Sequence, residues 1–266
     1  MKIVRFQDRM GVIRHGEWLD ERSARLIEGT FGETCRVTDQ VVAVGTLLAP
    51  VDPRTILCVG LNYRRHAEET GARIPEYPVL FIKAANALAH PGAPVVIPKV
   101  APGQVDCEGE LAVVIGKPGK NIQRHQALDH VLGYTCANDV SARRWQKEGG
   151  GKQWCRGKSF DTFCPLGPCL VTADEIPDPN TLRIKTTLND KIMQDSTTAD
   201  MIFDVPSLVS FLSEGTTLLP GTVILTGTPQ GVGFARNPPV FLKQGDRVAI
   251  EIERIGTLVN PVSEEE

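Results

Sequence analysis

The stretch Asp106-Cys107-Glu108-Gly109-Glu110-Leu111-Ala112-Val113-Val114-Ile115-Gly116 sets two carboxylates at the mouth of an unbroken apolar run. Residues two apart on a strand share a face, so Glu108 and Glu110 project together. Side by side they repel unless a cation or a proton lies between them. A solvated edge strand would tolerate the pair, but the wholly apolar run after Glu110 disfavours an exposed edge. Downstream, the strand candidate over 133–137 runs into Asn138-Asp139 and brings a third carboxylate from another element.

Further strands are expected at MKIVRF, GVIRHGEWL, TILCVGLNY (55–63), PVLFIK (78–83), TLRIKTTL (181–188), TVILTG (222–227) and RVAIEIERIG (247–256). Their Val, Ile and Thr content suits a pleated, buried surface. Helical periodicity is scarcer: 62–70, 124–131, and a segment opened by Val205-Pro206-Ser207 with Leu208, Phe211 and Leu212 on one face. Twenty-five glycines and 19 prolines punctuate the chain, many at strand ends. The pattern predicts a β-rich mixed α+β fold rather than a doubly wound sheet. Pro50 and Pro53 mark a linker. It divides a small N-terminal α/β unit (1–52) from a main domain (53–262), and SEEE closes the chain as a disordered tail (263–266). Gly149-Gly150-Gly151 reads as a mobile loop.

The 266 residues carry 29 Lys and Arg against 32 Asp and Glu, a balance that generates no field for polyanions and argues against nucleic acid as a partner. No run approaches eighteen apolar residues, so no membrane span is expected. MKIVRFQDRM has neither the apolar core of a secretory signal nor transit-peptide character, and a cytoplasmic location is expected. Seven cysteines without tight spacing disfavour a zinc knuckle or a disulfide framework.

Three carboxylates without a Cys/His pair suit a hard cation, Mg²⁺ or Mn²⁺ rather than Zn²⁺. His66 and Glu69 stand three apart, close on a helical turn, so Glu69 can orient the imidazole as a base; a surface His beside acids fits the spacing equally. Glu68 faces away if the segment is helical. Arg143 and Gln146 share one face of a turn, and Lys158 follows a glycine. These side chains suit a substrate carboxylate and a developing enolate oxygen, or solvated surface charge. Thr226-Gly227-Thr228-Pro229-Gln230-Gly231-Val232-Gly233 offers backbone N–H groups and the Thr228 hydroxyl to a ligand, or forms a tight turn. It is neither a Walker A loop nor a dinucleotide fingerprint.

Six stretches in order, GLNYRRHAEE, PVLFIK, VDCEGELAVVIG, GYTCANDVSARRWQ, GKSFDTFCPLGP and LPGTVILTGTPQGVG, resemble the fumarylacetoacetate hydrolase family. The likeness runs from Val59 to Phe234, and RVAIEIERIG extends it almost to the end; the first fifty residues are less diagnostic. It implies the family's C-terminal-domain fold, a homodimer, and Mg²⁺ or Mn²⁺ held by Glu108, Glu110 and Asp139. It also implies His66 and Glu69 as a water-activating dyad on a lid, Lys158 as an enolate-stabilising catalytic group, and Arg143, Gln146, Lys158 and Thr228 as substrate-binding residues. The activity implied is hydrolysis of a C–C bond in an acylpyruvate or β-diketo acid through a metal-bound enolate. The alternative is tautomerisation or decarboxylation of oxaloacetate at the same site; a non-catalytic carboxylate-binding protein is a third reading. Either activity makes a small dicarbonyl or 2-keto acid the partner. The loops 70–77 and 146–156 are expected to form the selective walls. Two departures stand out: Cys107 where Tyr is common, which would alter the pocket wall, and Asn189-Asp190 where Asn-Gly is usual.

Overall fold

The computed structural model describes residues 1–29, 34–149 and 151–266. In place of an α/β unit, the described part of 1–52 holds strands alone: β1 (Lys2–Gln7), β2 (Ile13–Asp20), β3 (Ser23–Glu28), β4 (Arg36–Ala43) and β5 (Thr46–Leu48). The expected linker is partly structure as well, since β5 pairs with β1 and Ala49 is fully buried. Next come β6 (Thr55–Gly60), helix α1 (Arg64–Thr70), β7 (Val79–Lys83), β8 (Leu88–Ala89) and β9 (Val95–Ile97). The central elements are β10 (Val105–Asp106), β11 (Gly109–Ile115), β12 (Val131–Asn138), β13 (Ser141–Ala142), α2 (Trp154–Lys158) and β14 (Cys164–Thr172). The chain finishes with β15 (Arg183–Leu188), β16 (Lys191–Thr197), α3 (Val205–Ser213), β17 (Thr222–Leu225), β18 (Arg247–Ile252) and β19 (Gly256–Glu264).

One large sheet runs β4-β3-β2-β1-β14-β12-β11-β17-β6-β7, and a second runs β16-β15-β18-β19-β9. The second sheet packs over β11, β12 and β14, so these strands are covered on both faces. That is why every residue of β11 is buried and why its sequence is apolar without alternation. Most neighbours are antiparallel, but β17 lies parallel to β6, with Val223 opposite Ile56 and Leu225 opposite Cys58. Strand β1 pairs with β14, so the N-terminal strands continue the sheet of the main domain.

The tail is not disordered: Ser263 and Glu264 pair with Val96 and Ile97, and the Glu265 N–H donates to the Ile97 carbonyl. The cause is β9, whose free edge accepts the end of the chain in parallel. Of the expected mobile loop at 149–151, Gly150 lies outside the described residues. All seven cysteine thiols are free. No helix of the described residues is long and apolar enough to cross a membrane.

Candidate active site

The strand ends converge on a cavity of about 300 Å³, at the lower end of the range for small-molecule sites. Glu108 and Glu110 enter from the start of β11 and Asp139 from the end of β12, where Gly109 pairs with Asn138. One oxygen from each lies within 4.8 Å of the others, and all three residues are buried. Burial, then the carboxylates of Asp139 and Glu108, push the Glu110 carboxyl well above its ordinary value. Burial opposes ionisation of Glu108 too. There the Arg143 guanidinium and the Lys158 ammonium win and hold the carboxyl below its usual range. An all-oxygen set, crowded and buried, fits a hard divalent cation: the ion would relieve the repulsion that now falls on Glu110.

Lys158, from the end of α2, places Nζ 2.7 Å from Glu108 Oε2 and 2.6 Å from Asp139 Oδ2. Burial disfavours its charge, but the two carboxylates prevail and raise its pKa. Behind it Lys83 of β7, also buried, sits 2.7 Å from Asp139 Oδ1 and donates to the Val140, Lys158 and Phe163 carbonyls. Arg143 was expected as a fork for the substrate. Its guanidinium is instead bound within the protein, to Asp106 Oδ2 at 2.7 and 3.0 Å, Glu108 Oε1 at 2.6 Å and Gln146 Oε1 at 3.1 Å. Gln146 lines the cavity.

His66 and Glu69 meet as the spacing predicts, Nδ1 lying 3.2 Å from Glu69 Oε2 on α1, while Glu68 is exposed. The helix has no side-chain N-cap of its own. Remote groups hold its start: the Asn62 amide bonds the Phe203 and Thr226 carbonyls, and Asp200 accepts from the Arg65 N–H. Gly71, at φ +64°, closes it in the left-handed region.

Four amides of the loop after β17 are taken up within the protein. Gly227 N–H donates to Glu110 Oε2, Gly231 N–H to Glu69 Oε1, and the Gly233 and Phe234 N–H groups to Asp106. The Thr228 hydroxyl lines the cavity but donates to the Gly109 carbonyl and accepts from Gln194. These internal bonds form because the buried carboxylates of Glu110 and Asp106 need donors, and the loop supplies them, with one more amide for Glu69. Cys107 does not alter the wall: it is buried outside the cavity lining, its N–H on Asp106.

Several residues escape the sequence reading. Asp106 joins the site through Arg143 and through a loop 127 residues away. Lys83 falls at the end of an expected strand, and neither it nor Phe234 is singled out there as a site residue. Trp154 stands so close to Gly60 that a Cβ there would lie 2.2 Å from the indole, so only glycine fits beneath it. The two loops 70–77 and 146–156 reach the wall, through Thr70 and Ala72 on one side and Gln146, Lys147 and Trp154 on the other.

A β-rich scaffold whose strand ends crowd three buried carboxylates, two ammonium groups and an imidazole beside a small cavity has the make-up of an enzyme active site. The chain belongs to the fumarylacetoacetate hydrolase family: the model for the fumarylacetoacetate (FAA) hydrolase C-terminal domain matches residues 55–263. It is 51% identical over 218 residues to Xenopus laevis "Oxaloacetate tautomerase fahd2, mitochondrial", covering 82% of this chain and 68% of that protein. It is 49% identical over 223 residues to the Dictyostelium discoideum fumarylacetoacetate hydrolase domain-containing protein 2 homolog, covering 80% and 73%. The crystal structure of 2-hydroxyhepta-2,4-diene-1,7-dioate isomerase from Mycobacterium marinum superposes with a TM-score of 0.85 at 40% identity, covering 100% of this chain and 99% of that one. The name of the Xenopus relative places it in mitochondria, a compartment outside the cytoplasmic expectation.

Proposed function

We propose that this protein interconverts the keto and enol forms of a small 2-oxo dicarboxylic acid, with oxaloacetate as the substrate to test first. The observation that carries this is the 51% identity over 218 residues to a protein named as an oxaloacetate tautomerase. The geometry supports it, because tautomerisation needs one proton relay and one site for negative charge on oxygen. His66 is the relay. With Nδ1 engaged by Glu69, the other ring nitrogen is left to take a proton from C3 and return it to the 2-oxo oxygen, or the reverse. The electron pair of the broken C–H bond forms the C2–C3 double bond, and the carbonyl π pair moves onto that oxygen. Lys158 spends two N–H groups on Glu108 and Asp139 and has a third for it. Glu108, Glu110 and Asp139 would hold Mg²⁺ or Mn²⁺, which when bound supplies Lewis-acid polarisation of the 2-oxo acid group. Arg143, tied to Asp106, fixes Glu108 in place, and Gln146 and Thr228 shape the wall.

The test follows the loss of enol-oxaloacetate with Mg²⁺ present, beside assays for pyruvate release from oxaloacetate and for acylpyruvate cleavage. Fast enol loss that His66→Gln reduces at least a hundredfold supports the proposal. Faster decarboxylation or C–C hydrolysis than tautomerisation overturns it.

A homodimer is proposed as the assembly. Supporting it is β7, which ends the large sheet with Leu80 and Ile82 exposed on its outer face.

A further inference from the structure

Among the cationic residues on the cavity wall, Lys147 differs from the other two. Arg143 and Lys158 are each bonded to two carboxylates, whereas Lys147 makes no ion pair among the described residues. Its ammonium rests 4.6 Å from the centroid of the Phe234 ring, the ring that Arg143 also approaches at 4.4 Å. Phe234 is in turn fixed by its N–H bond to Asp106. The aromatic ring therefore holds an unneutralised positive charge at the wall, where a free lysine would be dispersed in solvent.

The charge balance points the same way. Three wall carboxylates, Glu108, Glu110 and Asp139, face three wall cations, Arg143, Lys147 and Lys158. Immediately behind them Asp106, paired with Arg143, and Lys83, paired with Asp139, add one charge of each sign and leave the sum unchanged. A divalent cation on the carboxylates leaves two positive charges to be met by the substrate, and a dicarboxylate meets both. One carboxylate belongs to the 2-oxo acid head beside the acidic cluster, and the other lies toward the mouth, where Lys147 is the uncommitted cation.

We propose that Lys147 is the specificity-determining residue of this site, receiving the distal carboxylate of a dicarboxylate substrate and thereby selecting dicarboxylates over monocarboxylates. This deepens the tautomerase reading and rests on it for the identity of the head group.

Malate and lactate test it, because they share a 2-hydroxy acid head and differ by one carboxylate. Their affinities for the Mg²⁺-loaded protein are measured by titration calorimetry for wild type, Lys147→Met and Lys147→Arg. Methionine keeps an unbranched stem over Phe234 and removes only the charge, and thermal unfolding confirms that both variants fold. The wild type should prefer malate about tenfold, Lys147→Met should lose that preference with lactate affinity unchanged, and Lys147→Arg should restore it. A wild type that binds both equally or neither, or a Lys147→Met protein with its preference intact, overturns the inference. Enol-oxaloacetate turnover in the same preparations separates the two readings. An inactive protein that still discriminates malate through Lys147 refutes the tautomerase alone, and an active one without discrimination refutes the role of Lys147 alone.

Discussion

Asp106 and Glu110 show how two buried carboxylates in one strand-start motif take different roles. Asp106 is saturated by Arg143 and three backbone N–H groups, so it serves as a fixed anchor. Asp106→Asn removes one of the two carboxylates that neutralise the buried guanidinium and leaves Glu108 as the other, which should cost about 2 kcal/mol. The drop is read in thermal unfolding, together with a fall of at least tenfold in kcat/KM; unchanged values for both refute the anchor role. Glu110 is the opposite case. Because its folded pKa is raised, the metal-free protein is favoured below the ordinary carboxylate value and loses stability as pH climbs from there through the folded value. Glu108, lowered, contributes in the opposite sense: its stabilisation is full above the ordinary value and vanishes as pH falls toward the folded one. Glu110→Gln should therefore flatten the decline of metal-free stability with rising pH and abolish any Tm increase produced by Mg²⁺ or Mn²⁺. Retention of a metal-induced Tm increase in that variant would exclude Glu110 as a ligand.

At the scale of elements, the junction of α1 with the loop after β17 decides whether His66 is poised. Gly231 sits at φ +101°, with the Met193 carbonyl 2.1 Å from where a Cβ would be, so Gly231→Ala must displace the loop. Its N–H would then leave Glu69, and the expected result is a tenfold or greater loss of kcat with little change in metal affinity, measured by kinetics and calorimetry side by side. Much of this scale was legible beforehand. The i, i+3 spacing of His66 and Glu69 needs only one helical turn, and the apolar run of β11 needs only burial to be a strand. The direction of the loop amides was not legible, since glycine spacing shows that close approach is possible and not to which atom. The internal partner of Arg143 was not legible for a related reason: Asp106 lies 37 residues away on β10, which pairs with β13 just before the arginine. Strand β19 and the paired tail were missed because Ser263 and Glu264 are polar, and backbone pairing with β9 asks little of side chains.

For the whole molecule, the first 52 residues are structural to the large sheet. Val4 and Phe6 are fully buried, and β1 covers the edge of β14. A chain beginning at Asp52 would expose that edge and should aggregate or unfold, as sedimentation and circular dichroism would reveal. A stable, active fragment would show instead that the main domain stands alone. The parallel pairing of β17 with β6 carries a further consequence, for folding in time. It joins residues 55–58 to 222–225, so the segment bearing His66 and the loop bearing Gly227 and Gly231 meet only after a very long closure. The acidic cluster at β11 and β12 assembles from near neighbours, while the imidazole and the amides that tune it arrive together at the end. On a ribosome, no catalytically complete pocket exists until nearly nine-tenths of the chain has emerged.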